Sequence, residues 1–463
     1  MIPASAPGRG GQGTQTIAAR SPDRGLAVSA PSRMPWLSTG SGWPIMLGLS
    51  VAIGFLASRS VAFATVHLLV TCGAVVAVSL VARRPRPIVM ITAYAGLCDV
   101  LWRSASARGP YEGSKYALVF GFACIVVRFV PRPRNLGLVM GIIVLLVPGA
   151  LLGIDRLGPA IARQYVVANL AGLVALSLGV LACSNLLVSH AERYSIYLVA
   201  LGPPISVATI AAMSTFTGKD LNFGDVSNVA TAGGFGPVQV SSLLCFGGLL
   251  CVLILIDKGF PSSHRLVALA TGAVLVGQAV LTFSRGGIFS FVLAVSVAGL
   301  VSLSLTGQRI RTVVLVGLLV VVGLQILSWA GAFTGGASEE RFSSTDTSNR
   351  TEIASGDLKL FEEEPLFGVG VGLAKYERDF AVEAAPHTEY SRLLAEHGVF
   401  GLVAIILLAI LCLRIFRASE GQYRVATAAL LVMSLSQMMH SATRIGCIPL
   451  GFALAALRED SGN

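Results

Sequence analysis

Residues 312–333 read TVVLVGLLVVVGLQILSWAGAF, 22 positions without one ionisable side chain. As a helix rising about 1.5 Å per residue, such a run crosses the roughly 30 Å hydrocarbon layer of a bilayer. It lacks the apolar and polar alternation of a barrel strand, and in lipid only helices and closed barrels satisfy their own backbone groups. The stretch is therefore a transmembrane helix. Blocks of the same kind recur, among them 136–154 and 166–188.

Counted outward from this run, apolar blocks lie near 43–57, 61–82, 88–102, 116–130, 136–154, 166–189, 195–215, 240–256, 265–283, 287–305, 312–333, 399–416, 424–440 and 444–457. The first three and the last two are short enough to tilt, re-enter or merge, so 12–14 spans are expected. Composition agrees, with 54% hydrophobic residues, 13% charged residues and a mean hydropathy of +0.76. An ordinary soluble domain carries about a quarter charged residues. The expected fold class is an all-α, polytopic helical transmembrane bundle. The eight cysteines all sit inside apolar blocks without a repeated ligand spacing, which predicts small core residues rather than disulfides or zinc ligands.

The net charge of +10 does not point to nucleic acid. Basic residues cluster at segment ends: Arg83, Arg84 and Arg86; Arg128, Arg132 and Arg134; Arg309 and Arg311; Arg414, Arg417 and Arg424. That is the positive-inside pattern of a membrane protein rather than a binding groove. It puts these clusters in the cytoplasm, with Arg59, Lys219, Arg285 and Arg444 singly outside. The expected organisation is a disordered cytoplasmic tail over 1–41, a bundle over 42–333, an extracytoplasmic loop over 334–398, C-terminal transmembrane helices over 399–457 and a cytoplasmic tail over 458–463. No removable signal peptide is expected.

The long loop differs from the rest of the chain. It holds 13 of the 24 acidic residues, and loops of this length in compact proteins are functional or disordered. Helix signals argue for order. Asn349 and Glu352 are spaced as a capping box ahead of Ile353 to Phe361, with Ile353, Leu358 and Phe361 directed toward the bundle and Pro365 as the stop. A second helix is expected from near His387 to Gly398, a left-handed terminator before the next span.

Four constellations in this region can carry chemistry. In His387-Thr-Glu-Tyr-Ser-Arg-Leu-Leu-Ala-Glu-His-Gly398, Tyr390, Leu393, Leu394 and His397 share a helical face. His387 at the positive helix end is kept neutral and able to accept a proton; a histidine that merely caps the helix is the alternative. Glu389 and Glu396 orient that ring, pair with Arg392, or are solvated helix charges, the last being the ordinary reading. In Phe283-Ser-Arg-Gly-Gly287, an arginine close to hydrocarbon is suited to phosphate oxygens, with snorkelling to the interface as the alternative. The stretch Thr231-Ala-Gly-Gly-Phe-Gly-Pro-Val-Gln239 fits close helix packing. Pro365-Leu-Phe-Gly-Val-Gly-Val-Gly372 has no strand and helix around it and is no nucleotide fingerprint.

In this order on this hydropathy profile, four pieces resemble the O-antigen ligase and polymerase superfamily of bacterial envelope glycan enzymes. They are Gly233-Gly-Phe-Gly-Pro237; Ser284-Arg285-Gly286; Asn349-Arg350 leading to Glu364-Pro-Leu-Phe-Gly-Val-Gly370; and His387 with Gly398. The resemblance implies a fold similar to C-type glycosyltransferases in the bacterial cytoplasmic membrane. It implies transfer of an undecaprenyl-diphosphate-linked oligosaccharide or polysaccharide to a hydroxyl of a glycan or lipid acceptor, with no metal and no nucleotide sugar. It also implies that His387 deprotonates the acceptor and Arg285 holds the diphosphate. Arg350 is the second diphosphate candidate, ahead of Arg378 and Arg392, while Glu389, Tyr390, Arg392 and Gly398 support the site. Val238 stands where many members have asparagine.

Two other readings stay open. One is a repeat-unit polymerase of the same superfamily, which shares donor and base and differs in acceptor. The other is a transporter or flippase of lipid-linked glycan, a class marked by internal repeats and ionisable residues within spans. Here no convincing repeat is found, and Asp99 is the main charge away from a segment end.

Overall fold

A computed structural model describes residues 42–217, 223, 227–257, 262–305, 309–344, 349–378 and 386–460. The expected tail over 1–41 lies outside the described residues, as do 461–463 and the loop acids Asp346, Asp379 and Glu383. Each of the 14 apolar blocks is helical over most of its length, in one helix or in two consecutive ones. Ten of these helical stretches are long and apolar enough to cross a membrane: Gly42–Arg59, Val61–Val81, Leu136–Leu157, Pro159–Cys183, His190–Thr217, Pro237–Ile256, Ser263–Leu281, Arg285–Ser304, Arg309–Phe333 and Glu389–Arg417. Pro85–Ser104, Gly113–Phe129, Gly421–Gln437 and Cys447–Ala455 are shorter or less apolar helices packed among them. The chain is a polytopic all-α bundle.

Pro237–Ile256 forms the centre, buried over 94% of its most apolar window, whereas Arg309–Phe333 is buried over only 6%. A helix apolar on every face suits either place, because lipid and protein interior are both apolar. Between Arg309–Phe333 and the helices Ser262–Leu281 and Arg285–Ser304 lies an apolar groove of about 560 Å³. All eight cysteines are free, and each is buried or half-buried.

The connections gather at two ends. At one, Arg128 donates to the carbonyl of Ser79, Arg134 N donates to Asn185 Oδ1 at 3.2 Å, Arg86 pairs with Glu192 at 3.5 Å, Arg193 pairs with Asp257, and Arg311 donates to the Leu255 carbonyl at 3.0 Å. Arg414, Arg417 and Arg424 lie at this end too, where Tyr423 Oη donates to the carbonyl of Val188 at 2.7 Å. The block expected as one span over 166–189 stops as a helix at Cys183, because Leu187–Val188 pairs as a short parallel strand with Arg458–Glu459. The C-terminal residues 458–460 are thus tied to the bundle by backbone hydrogen bonds.

The other end carries the long loop. Arg156 Nη1 donates to the Val369 carbonyl at 3.3 Å, and Arg341 Nε donates to the Phe283 carbonyl at 3.3 Å. Asp99 proves to lie one turn from this end of its helix, where it pairs with Arg103 at 3.0 Å; Glu112 in turn pairs with Arg103 at 3.5 Å and Lys115 at 2.6 Å. The Thr231–Gln239 connection is a packing element. Thr231 donates to the Leu281 carbonyl at 2.5 Å, and an added β-carbon at Gly233 would sit 3.0 Å from Ile210 Cγ2.

Candidate functional site

The helix beginning at Arg285 is reached through Phe283, whose φ of +57° turns the chain sharply before the first helical residue. The half-buried Arg285 guanidinium donates to the carbonyl of Ser344, tying this turn to the long loop. Gly286 lies under the ring of His440, where an added β-carbon would be 2.6 Å from His440 Cγ. Ser290 Oγ lies 3.0 Å from His440 Nε2 and Ser441 Oγ 3.1 Å from Nδ1, so both ring nitrogens are engaged.

Within the loop, Arg350 opens the helix Arg350–Glu363, which ends just before Pro365. The expected capping box is absent. Asn349 is left-handed, with φ +62°, and its side chain makes no cap bond, so the helix starts by a turn rather than by side-chain capture of an amide. Ile353, Asp357 and Leu360 form the buried face, four and three residues apart, and Leu358 is exposed, contrary to its expected inward direction.

His387 precedes Thr388, whose Oγ1 accepts from Tyr390 N at 3.3 Å and caps the helix Glu389–Arg417. The start of that helix is sewn to the turn after Gly421–Gln437. Glu389 N donates to Met438 O at 2.8 Å, Thr443 N to Glu389 Oε2 at 3.0 Å, Tyr390 Oη to Leu435 O at 3.0 Å and Arg444 Nη2 to Pro386 O at 2.5 Å. These bonds bring His387 and His440 to the same end of the bundle.

Burial, then Arg350, Arg444 and Arg378 in that order, pushes the His387 imidazole down to about 4. The helix end, the cause expected from the sequence, is not among these. His440 is likewise pushed down to about 4, by burial and then Arg350, with His387 adding a smaller push. Arg350 is itself lowered by burial and then by Arg285 and Arg341. Arg350 thus couples electrostatically to both histidines and to Arg285, and it makes no hydrogen bond or ion pair with another described residue. A neutral imidazole accepts a proton near neutral pH, and a guanidinium without a carboxylate partner is available to an anion.

Two other candidate arginines are spent internally. Arg378 Nε pairs with Asp357 Oδ1 at 2.9 Å, both side chains fully buried, and Ser391 Oγ donates to Asp357 Oδ2 at 2.6 Å. Arg392 bridges Glu389 and, at 3.2 Å, Glu396, and also donates to the Asn169 carbonyl at 2.9 Å. Glu389 and Glu396 are therefore not solvated charges, being 0% and 1% exposed. Each ion of the triad faces an opposite charge, and Glu396 Oε1 also accepts from Gly372 N at 2.9 Å, which offsets the cost of burying them.

Gly398 has φ +57° and ψ −137°, outside the helical region, so it ends the first helix and kinks the chain into the next span, as expected of a positive-φ terminator. The reason is close packing: Val399 N donates to Pro365 O at 2.7 Å, and a β-carbon on Gly398 would lie 2.5 Å from that oxygen. Nearby, Val369 N and Gly370 N donate to the carbonyls of Ala395 and Glu396 at 2.9 and 3.2 Å. The amides of this glycine loop are thus engaged with the helix, in keeping with its rejection as a phosphate cradle.

His440, Arg341 and the site role of Arg444 were missed in the sequence. His440 stands in Gln437-Met-Met-His-Ser-Ala-Thr-Arg444, where an apolar run breaks into polar residues, and that break was its only local signal.

Fold and site together define a polytopic helical membrane protein with an arginine-rich, histidine-bearing site at the end away from its basic clusters. Residues 267–406 match the family model described as O-antigen ligase. The match contains Arg285, Arg350, His387 and Gly398, while His440 and Arg444 lie beyond it. No curated protein matches the chain.

Proposed function

We propose that this protein is a membrane glycosyltransferase, similar to O-antigen ligases, that moves a glycan from a polyprenyl-diphosphate donor such as undecaprenyl diphosphate to an acceptor hydroxyl on a glycan or lipid. It works at the outer face of the bacterial cytoplasmic membrane, the side that positive-inside orientation gives to the end bearing the long loop. The observation that carries this reading is an imidazole held neutral at His387 under the influence of Arg350, which has no carboxylate partner among the described residues.

A ring nitrogen of His387 takes the proton of the acceptor hydroxyl as its oxygen attacks the anomeric carbon. The bond from that carbon to the diphosphate oxygen breaks, and the electron pair leaves with the diphosphate. Negative charge grows on the leaving group, so preplaced guanidiniums from Arg350 and Arg285 stabilise the transition state more than the ground state. Glu389, Tyr390 and Arg392 support the site by fixing the start of its helix, and Gly398 by its kink. The apolar groove reaches Ile288, one turn below Arg285, and offers a bed for the prenyl chain.

The test is incubation of purified protein with defined undecaprenyl-diphosphate oligosaccharides and candidate acceptors, with products read by mass spectrometry. A new glycosidic bond with release of the lipid diphosphate supports the reading. Passage of donor across vesicles with no bond formed favours transport instead. A repeat-unit polymerase would give a ladder of chain lengths, a ligase a single addition.

A further inference from the structure

At the basic end of the bundle a cavity of about 370 Å³ opens between the ends of four helices. Its lining brings together Arg134, Arg414 and Arg458, with Asn135, Ser184 and Ser419 as further polar residues, and includes no carboxylate. Ser184 Oγ is occupied, donating to the Val180 carbonyl at 2.6 Å. The nearest acid on the C-terminal strand, Glu459, is turned to His190 Nε2 at 3.2 Å.

Two of the three guanidiniums are uncommitted. Arg414 is exposed and makes no side-chain bond to another described residue. One terminal nitrogen of Arg458, Nη1, is buried with no hydrogen-bond partner among the described residues. A desolvated donor without an acceptor is unfavourable, and like charges crowded at one cavity repel unless an anion joins them.

The level of the cavity along the bundle narrows the choice of anion. Arg414 lies in the last turn of the candidate span Glu389–Arg417, Arg134 two residues before Leu136–Leu157, and Ser184 immediately after Pro159–Cys183. That is where helices emerge from hydrocarbon into the headgroup layer, and basic pockets between helices at this level are suited to anionic headgroups.

We propose that this cavity binds a phosphate-bearing anion, supplied by the headgroup of an anionic phospholipid in the leaflet at the basic end. The phosphate oxygens accept from Arg414 and from Nη1 of Arg458. Because Glu389–Arg417 runs from this cavity to the opposite end, a bound headgroup would anchor the helix that starts beside His387. The proposal needs only that the chain spans a membrane and is independent of the transfer reaction.

The test uses the full chain purified in detergent and exchanged with vesicles of phosphatidylglycerol, of phosphatidylcholine, or with inorganic phosphate alone, with bound lipid read by native mass spectrometry and protection by melting temperature. The wild type should retain phosphatidylglycerol about tenfold or more over an Arg414→Gln, Arg458→Gln double variant, as expected for two basic contacts to one anionic headgroup. Phosphatidylcholine should be held equally by both. Arg414→Gln alone, at an exposed position, should lower retention without affecting folding. Protection of the wild type by inorganic phosphate to the same extent would keep the phosphate site and make its source a soluble anion. Equal retention of phosphatidylglycerol by wild type and variants, with no protection by phosphate, overturns the proposal.

Discussion

Arg444 Nη2 donates to the carbonyl oxygen of Pro386 at 2.5 Å, so the turn that presents His440 also fixes the residue before His387. These segments are more than 50 residues apart in the chain, and the bond makes the position of His387 depend on a turn outside the matched family domain. Arg444→Ala should lower transfer by about 10- to 100-fold, the scale on which small misplacement of a catalytic group acts. The loss should fall on kcat with donor affinity little changed, as measured by steady-state kinetics and donor binding. An unchanged kcat would detach Arg444 from the positioning of His387.

Arg350 and Arg392 should separate cleanly. Arg350→Gln removes a guanidinium with no ion-pair partner among the described residues and should keep the protein folded while lowering transfer by roughly 100- to 1000-fold. Arg285→Lys should also transfer poorly, since a point charge cannot replace two parallel hydrogen bonds to phosphate. Arg392→Gln instead leaves Glu389 and Glu396 buried without their cation and should cost about 3–5 kcal/mol of stability. Thermal melts of the purified variants check the contrast.

The pH dependence follows from the direction of the His387 shift. Its ring is held at about 4, below the ordinary 6.5, so it is neutral and competent above that pH and protonated below it. In the free protein, kcat/KM should therefore fall only as pH drops through about 4. A bound diphosphate brings negative charge beside the ring and raises its pKa, so the acid limb of kcat should lie at higher pH than that of kcat/KM. The same sign holds for stability: burial of the neutral ring favours the fold above 6.5, and that contribution is lost as pH falls through about 4. Coincident limbs near 6.5 would remove His387 from the role of base.

Gly286→Ala would put a β-carbon 2.6 Å from the His440 ring and must displace it, breaking its contacts with Ser290 and Ser441. Transfer should fall about tenfold or more, and trimming the ring with Gly286→Ala, His440→Ala should restore part of the melting temperature. A Gly286→Ala variant with full activity and an unshifted melt would show that this close approach has no role.

The helices were legible because each must bury its backbone polar groups within itself, which leaves a long apolar run such as 312–333 in the sequence. Their arrangement was not legible. Pro237–Ile256 and Arg309–Phe333 are equally apolar, yet one is the core and the other the outer rim. Lipid and protein interior select the same residues, so composition carries no sign of which a helix faces. At the site, His387, Arg285 and Gly398 stood out by type and spacing, because a histidine, an arginine near hydrocarbon and a glycine with positive φ are each costly or special where they stand.

What stayed hidden depended on contacts between distant segments. Glu389, Arg392 and Glu396 look like an ordinary solvated helix face at three- and four-residue spacing, and only packing against Asn169, Gly372 and Thr443 turns them into a buried triad. Asn349 and Glu352 have the right types for a capping box, but the left-handed backbone at Asn349 turns the side chain away from the amides it would cap. The site role of His440 arises from Gly286, 154 positions earlier.

The most direct measurement compares wild type and His387→Ala in single-turnover transfer from a defined undecaprenyl-diphosphate oligosaccharide, with donor binding determined in parallel. Donor affinity should be nearly unchanged and the transfer rate should fall by about 100- to 10,000-fold, the range for loss of a general base. Transfer by His387→Ala at close to the wild-type rate would contradict the account.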